Sequence, residues 1–143
     1  MMHWNRSVTS MVVVLMLGFW GCNTTVTPKP PPRAIVHYIQ FALRTFVPTT
    51  PENIEENARQ RFLLDVNSGE FREIENALRE TRAGTFDDEV VRLKIVLPSK
   101  EVILVDSSGG VRSSSGEKRL SESSFARLKE TLRRLSQRSP DPG

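Results

Sequence analysis

Pro28-Lys29-Pro30-Pro31-Pro32 divides this chain into two parts that cannot share one core. Proline donates no backbone hydrogen bond and fixes its own φ, so the run favours an extended polyproline conformation over helix or sheet. The stretch from Asn23 to Pro32 is Thr- and Pro-rich with almost nothing to bury, and at about 3.1 Å per residue it reaches some 30 Å. An apolar segment on its far side is therefore isolated from whatever folds after Arg33. Composition changes at the same place: Met1, Met2, Met11 and Met16, the only methionines, and both tryptophans, Trp4 and Trp20, precede Cys22.

That first segment opens with a polar stretch carrying Arg6, runs apolar from Met11 to Trp20 and closes on the small residue Gly21. A positive start, a short apolar region and a small residue at the cut are the layout of an export signal, here residues 1–21. A permanent transmembrane helix is the rival reading, and it needs about 20 apolar residues to cross the hydrocarbon. The apolar run falls short of that. Removing the signal would leave residues 22–143, enough for one modest core.

Leu17-Gly18-Phe19-Trp20-Gly21-Cys22 resembles the end of a bacterial lipoprotein signal peptide, with an atypical lipobox in which Phe19 and Trp20 replace the usual Leu and small residue. The resemblance covers only these first residues. It implies cleavage between Gly21 and Cys22, lipid attachment to the Cys22 thiol, and a membrane as the first partner. A diacylglyceryl group would anchor stably where a single chain binds marginally. In that family, in bacteria with two membranes, Asp directly after the cysteine favours the inner one; Asn23 stands here, so in such a host the resemblance implies the outer one. Asn23-Thr24-Thr25 also fits an N-glycosylation acceptor, a three-residue pattern of low specificity.

Residues 33–138 are expected to form a single α+β domain, a small antiparallel meander with about three helices on one face, followed by a disordered tail over 139–143. Apolar residues from Ala34 to Val47 suggest a long strand, with a helix as the alternative, ended by Pro48 and Pro51. Thr50 could cap a helix running to about Gln60. A second helix starts after Ser68 with Phe71, Ile74 and Leu78 on one face. Val91, Leu93, Ile95 and Leu97 alternate with Val90, Arg92, Lys94 and Val96, the clearest strand pattern in the chain. Turns at Pro98-Ser99-Lys100 and Asp106-Ser107-Ser108-Gly109-Gly110 continue the meander through Val102–Val105 to a strand starting at Val111. The segment Val102 to Val111 is also faintly similar to the end of periplasmic PepSY modules, over that short stretch alone. Ser121 caps a last helix with Phe125, Leu128, Leu132 and Leu135 as its buried stripe and Glu130 placed to pair with Arg134, before a frayed end from Gln137.

Candidates for chemistry are few. His37 is the only histidine after Cys22, and its place in an alternating strand suits a structural role. No Gly-x-Ser-x-Gly is present, and no cluster of His, Cys and carboxylates has metal spacing, so no cofactor or metal is expected. Asp87 and Asp88 are paired carboxylates at the start of a strand, where solvation explains them as well as catalysis does. Gly109-Gly110 lacks the spacing of a phosphate loop. Cys22 is the sole cysteine, which excludes an intramolecular disulfide. Arg6 is the only charged side chain ahead of Cys22, so the chain's 20 Lys and Arg leave 19 after it against 17 Asp and Glu. That small excess does not imply nucleic acid. It is concentrated between Arg112 and Arg138, eight basic against three acidic residues, a surface suited either to solvent or to anionic lipid. With no Trp after the boundary, Tyr38 and the arginines are the remaining anchor types for a protein interface. The expectation is a membrane-anchored, noncatalytic binding or scaffolding module of the cell envelope, with another envelope protein or anionic lipid as its partner. The alternatives are an exported enzyme or enzyme inhibitor, and an uncleaved single-pass protein.

Overall fold

The computed structural model describes residues 27–138. Gly21, Cys22 and the rest of the expected signal lie outside the described residues, as does the tail 139–143. Residues 27–32 are exposed and carry no regular secondary structure. The elements are β1 Arg33–Tyr38, α1 Ile54–Asn57, β2 Gln60–Asp65, α2 Gly69–Arg79, β3 Thr81–Arg82, β4 Val91–Val96, β5 Val102–Asp106, β6 Gly110–Ser113, β7 Gly116–Leu120 and α3 Glu122–Arg138. The strands form one antiparallel sheet in the order β2-β1-β4-β5-β6-β7-β3, so the fold is α+β.

α2 leaves the sheet at the β2 edge and returns the chain to β3 at the opposite edge, crossing one face beside α3. Strand alternation sends Val36, Leu93, Ile95 and Val105 into that face, where Ile74 and Ala77 of α2 and Leu128 and Leu132 of α3 close the core. The helices begin where their caps permit: the Ser68 Oγ accepts from the Phe71 N–H at 3.2 Å, and the Ser121 Oγ from the Ser124 N–H at 3.2 Å.

A smaller cluster, Ile39, Ile54, Phe86, Val91 and Leu104, occupies the other face. A β-bulge separates Val91 from Leu93 and turns Val91 away from the face that Leu93 enters. Since Ile54 belongs to α1, the three helices do not share one face as expected; α1 covers the side opposite α2 and α3.

The strand foreseen over Ala34–Val47 ends at Tyr38, and the chain leaves the sheet as a loop whose Phe46 is fully exposed. Pro48 and Pro51, which cannot donate to a ladder, set the end of that loop. The helix foreseen from Pro51 to Gln60 shrinks to α1, and Thr50 does not cap it; the Thr50 N–H donates instead to Asn53 Oδ1 at 2.8 Å. Gln60–Asp65 is an edge strand paired along its whole length with β1. Consecutive Phe62, Leu63 and Leu64 conceal its alternation, since Leu63 is 51% exposed while Phe62 is buried. α3 continues through Gln137 and Arg138, where the Arg138 Nη1 donates to Glu70 Oε1 of α2 at 3.2 Å. Glu130 pairs with Arg133 rather than Arg134, which reaches across to Glu73.

Candidate functional site

The most distinctive surface is the loop from Gln40 to Pro48. Phe41 folds back onto the core, edge-on to Phe125 with ring centroids 5.1 Å apart and tilted against Tyr38 at 5.7 Å. Beyond this hinge the apolar side chains turn outward: Leu43 is 41%, Val47 66% and Phe46 completely exposed. The far end is fixed by Thr49, buried, whose N–H donates to the Glu89 carbonyl at 3.0 Å and whose carbonyl accepts from the Val91 N–H at 2.8 Å. An anchored loop that presents three apolar side chains to water is unlike scattered surface hydrophobics and has the character of a contact site. Clefts flank it on both sides, one of about 830 Å³ toward α1 and one of about 570 Å³ toward Glu89–Arg92.

Arg92 lies against the second cleft. It occupies the bulge, is 4% exposed, and donates from Nη1 to the Val91 carbonyl at 3.1 Å and from Nη2 to the Leu43 carbonyl at 3.2 Å. Its buried Nε has no hydrogen-bond partner. Burial, with no compensating charge, depresses its pKa. Read as a strand residue on the polar side of an alternation, Arg92 gave no sign of this; only the bulge, which register alone reveals, brings it under the loop.

His37 sits between Arg61 of β2 and Lys94 of β4 in the sheet register, with Glu55 of α1 nearby. Burial lowers its pKa below the ordinary 6.5, and the two cations reinforce this against the opposing pull of Glu55. Between that lowered value and 6.5 the unfolded chain binds more protons than the folded one, so stability rises with pH across the interval. The advantage of the neutral imidazole is complete above about 6.5 and lost as pH falls through the folded value. Urea midpoints of the wild type and His37→Gln, compared from pH 7.5 down to 5, should therefore converge. A gap that stays constant would show that His37 does not titrate with folding.

The structure separates Asp87 from Asp88. Asp87 Oδ1 accepts from the Glu89 N–H at 3.0 Å, closing a local turn, while Asp88 pairs with Arg112, which also holds Glu117 and lies 4.4 Å over the Phe86 ring. They form no shared carboxylate site. Asp106, fully buried, accepts from the N–H groups of Asp87, Ser108 and Gly110 and from the Ser108 hydroxyl, and Gly109 takes φ 89° to complete the turn. Many of the basic residues around α3 are engaged: Arg127 with Glu80, Arg133 with Glu130, Arg134 with Glu73 and Arg138 with Glu70. Three of those carboxylates come from α2 and its end, so this surface is less positive than the sequence of α3 by itself.

Among the described residues no group of three or more His, Cys, Asp or Glu could hold a metal ion, and no helix is long and apolar enough to cross a membrane. No family model, curated protein or solved structure matches this chain.

Proposed function

We propose that the chain is a lipid-anchored, noncatalytic binding module, held on the outer side of a bacterial cell membrane or at the outer membrane through Cys22, with the Phe46 loop as its contact surface. The loop carries this reading: three of the four exposed large apolar side chains of the described residues sit together on it, beside two clefts. The lipobox-like sequence and the exposed Pro-rich tether support the anchor. A tether of about 30 Å would let the loop reach a partner beyond the lipid headgroups.

Intact mass of the membrane-fraction protein, wild type beside Cys22→Ala, tests the anchor. The expected species is residues 22–143 plus acyl groups, absent from the variant. An unmodified soluble product or the uncut chain would overturn it. A photo-reactive aromatic at position 46 tests the surface, with discrete envelope adducts expected from there and none from position 118 on β7. Equal adducts from both positions would show that the loop is not the contact surface.

A further inference from the structure

We infer that Arg92, lining the cleft between the Phe46 loop and the β4 bulge, is the anion-binding group of a site for a monocarboxylate with an apolar body. The inference rests on the loop being a contact surface, and it is independent of lipid attachment. A guanidinium has five N–H donors in a planar fork suited to a carboxylate. Two of those on Arg92 are engaged, both by neutral carbonyls, and Nε has no acceptor. The ion pairs among the described residues do not include Arg92. A buried charge without a counter-ion is costly, and an incoming carboxylate relieves that cost where a neutral ligand does not.

The cleft defines the rest of the ligand. Phe41, Leu43, Phe46, Pro48 and Val90 give it apolar walls, and its volume of about 570 Å³ suits a small molecule or one terminal residue of a chain. Its charged lining is Arg44, Arg92 and Glu89, a net of one positive charge, which matches a single carboxylate. Glu89 opposes a second. Binding exchanges the Leu43 carbonyl on Nη2 for an ionised oxygen, a bond roughly twice as strong. The loop that holds Leu43 is the element that moves.

The test uses the full chain in detergent solution, titrated with N-acetylglycyl-phenylalanine, its C-terminal amide, and 3-phenylpropionate, with binding followed by calorimetry and by amide shifts of residues 41–47. The free acid should bind and shift the loop, the amide should bind roughly thirtyfold more weakly or worse, and Arg92→Met should lose the acid to the same degree. Equal binding of acid and amide, or acid binding unchanged in Arg92→Met, would overturn the site. Comparable binding of 3-phenylpropionate assigns the site to a free organic acid; binding of the dipeptide acid alone assigns it to a chain terminus. If Arg92→Met fails to fold, Glu89→Gln, at an exposed position, decides. It should tighten the acid about threefold and leave the amide unchanged, as loss of a nearby like charge implies; no change for the acid rejects the site. Specific cross-linking from position 46 with no preference for acid over amide would reject the ligand and leave the contact surface standing.

Discussion

Asp106→Ala should cost the fold about 3 to 5 kcal/mol, a large part of the total stability of a domain this size. The carboxylate is fully buried, and its two oxygens divide the work. Oδ1 accepts from the Ser108 N–H at 2.7 Å, the Ser108 hydroxyl at 2.8 Å and the Gly110 N–H at 2.9 Å; Oδ2 accepts from the Asp87 N–H at 2.9 Å. Alanine removes four hydrogen bonds to a charged acceptor; the buried Gly110 N–H left without a partner costs about 1 to 3 kcal/mol, and the Asp87 and Ser108 donors, at exposed residues, add less. Asp106→Asn separates charge from geometry. Its Oδ1 keeps three donors, while its amide nitrogen faces the Asp87 N–H, donor against donor, for a loss of about 1 to 3 kcal/mol. The exposed carboxylate Asp88 is the control: its pair with Arg112 is a surface ion pair, so Asp88→Ala should cost no more than about 1 kcal/mol. Denaturant unfolding of the three variants checks the order. A loss below about 1 kcal/mol for Asp106→Ala would mean that water replaces the carboxylate and that the turn is not held by it. Gly110→Ala probes the same knot from the backbone, because an added Cβ would stand 2.6 Å from the Thr85 carbonyl, beside the Asp106 carboxylate.

The parts of the fold legible in sequence are those in which one physical signal acts alone. α3 has a capping serine, an apolar stripe at helical spacing and no competing turn residues, and it forms where it is expected, running on through Arg138. Beyond the bulge, β4 alternates as read, with Leu93 and Ile95 buried under α2 and α3 while Lys94 and Val96 are half-buried. Where two signals compete, the reading fails. Phe41, Leu43, Phe46 and Val47 carry strand-like composition, yet the strand stops at Tyr38, where its ladders to β2 and β4 end at Gln60 and Leu93. β2 has no clear signal of its own: the expected helix ends at about Gln60, its first residue, and the contiguous Phe62, Leu63 and Leu64 show neither strand nor helix periodicity. Glu117, Lys118 and Arg119 hide β7 for the opposite reason: charged residues on a strand with one solvated face look like a loop.

The candidate site was less legible than the fold. Asp106 had a local signal, an Asp before Ser-Ser-Gly-Gly, which marks a side chain that bonds its own following backbone. That it also reaches Asp87 across the loop depends on tertiary structure. Phe46 falls within the expected strand over Ala34–Val47, and its full exposure is the reverse of what its residue type suggests. Arg92 required the bulge between Val91 and Leu93, which one extra residue in β4 creates and which no composition rule reports. His37 was read as a structural strand residue, and its place between Arg61 and Lys94 is consistent with that, since both cations oppose its protonation.

Leu132→Ala should lower stability by about 2 to 5 kcal/mol, and Phe46→Ala by close to nothing, although the phenylalanine is the larger side chain. Leu132 is completely buried and stands one helical turn from Leu128, also completely buried, in the stripe that joins α3 to α2 and the sheet. Truncating it removes transfer free energy and leaves a cavity that neighbouring strands cannot collapse into without losing register. Leu135 is 8% exposed near the end of α3, so Leu135→Ala should fall below Leu132→Ala in cost. Phe46 contributes no burial to lose. The expected order is therefore Leu132, Leu135, Phe46, the reverse of ranking by residue volume at its last step, and urea midpoints of the three variants read it directly. A substantial loss for Phe46→Ala would place that ring in a packed interior in solution and remove the loop as a contact surface. Retained stability together with lost carboxylate binding would instead mark Phe46 as a side chain kept outward for a partner, at no benefit to the fold itself.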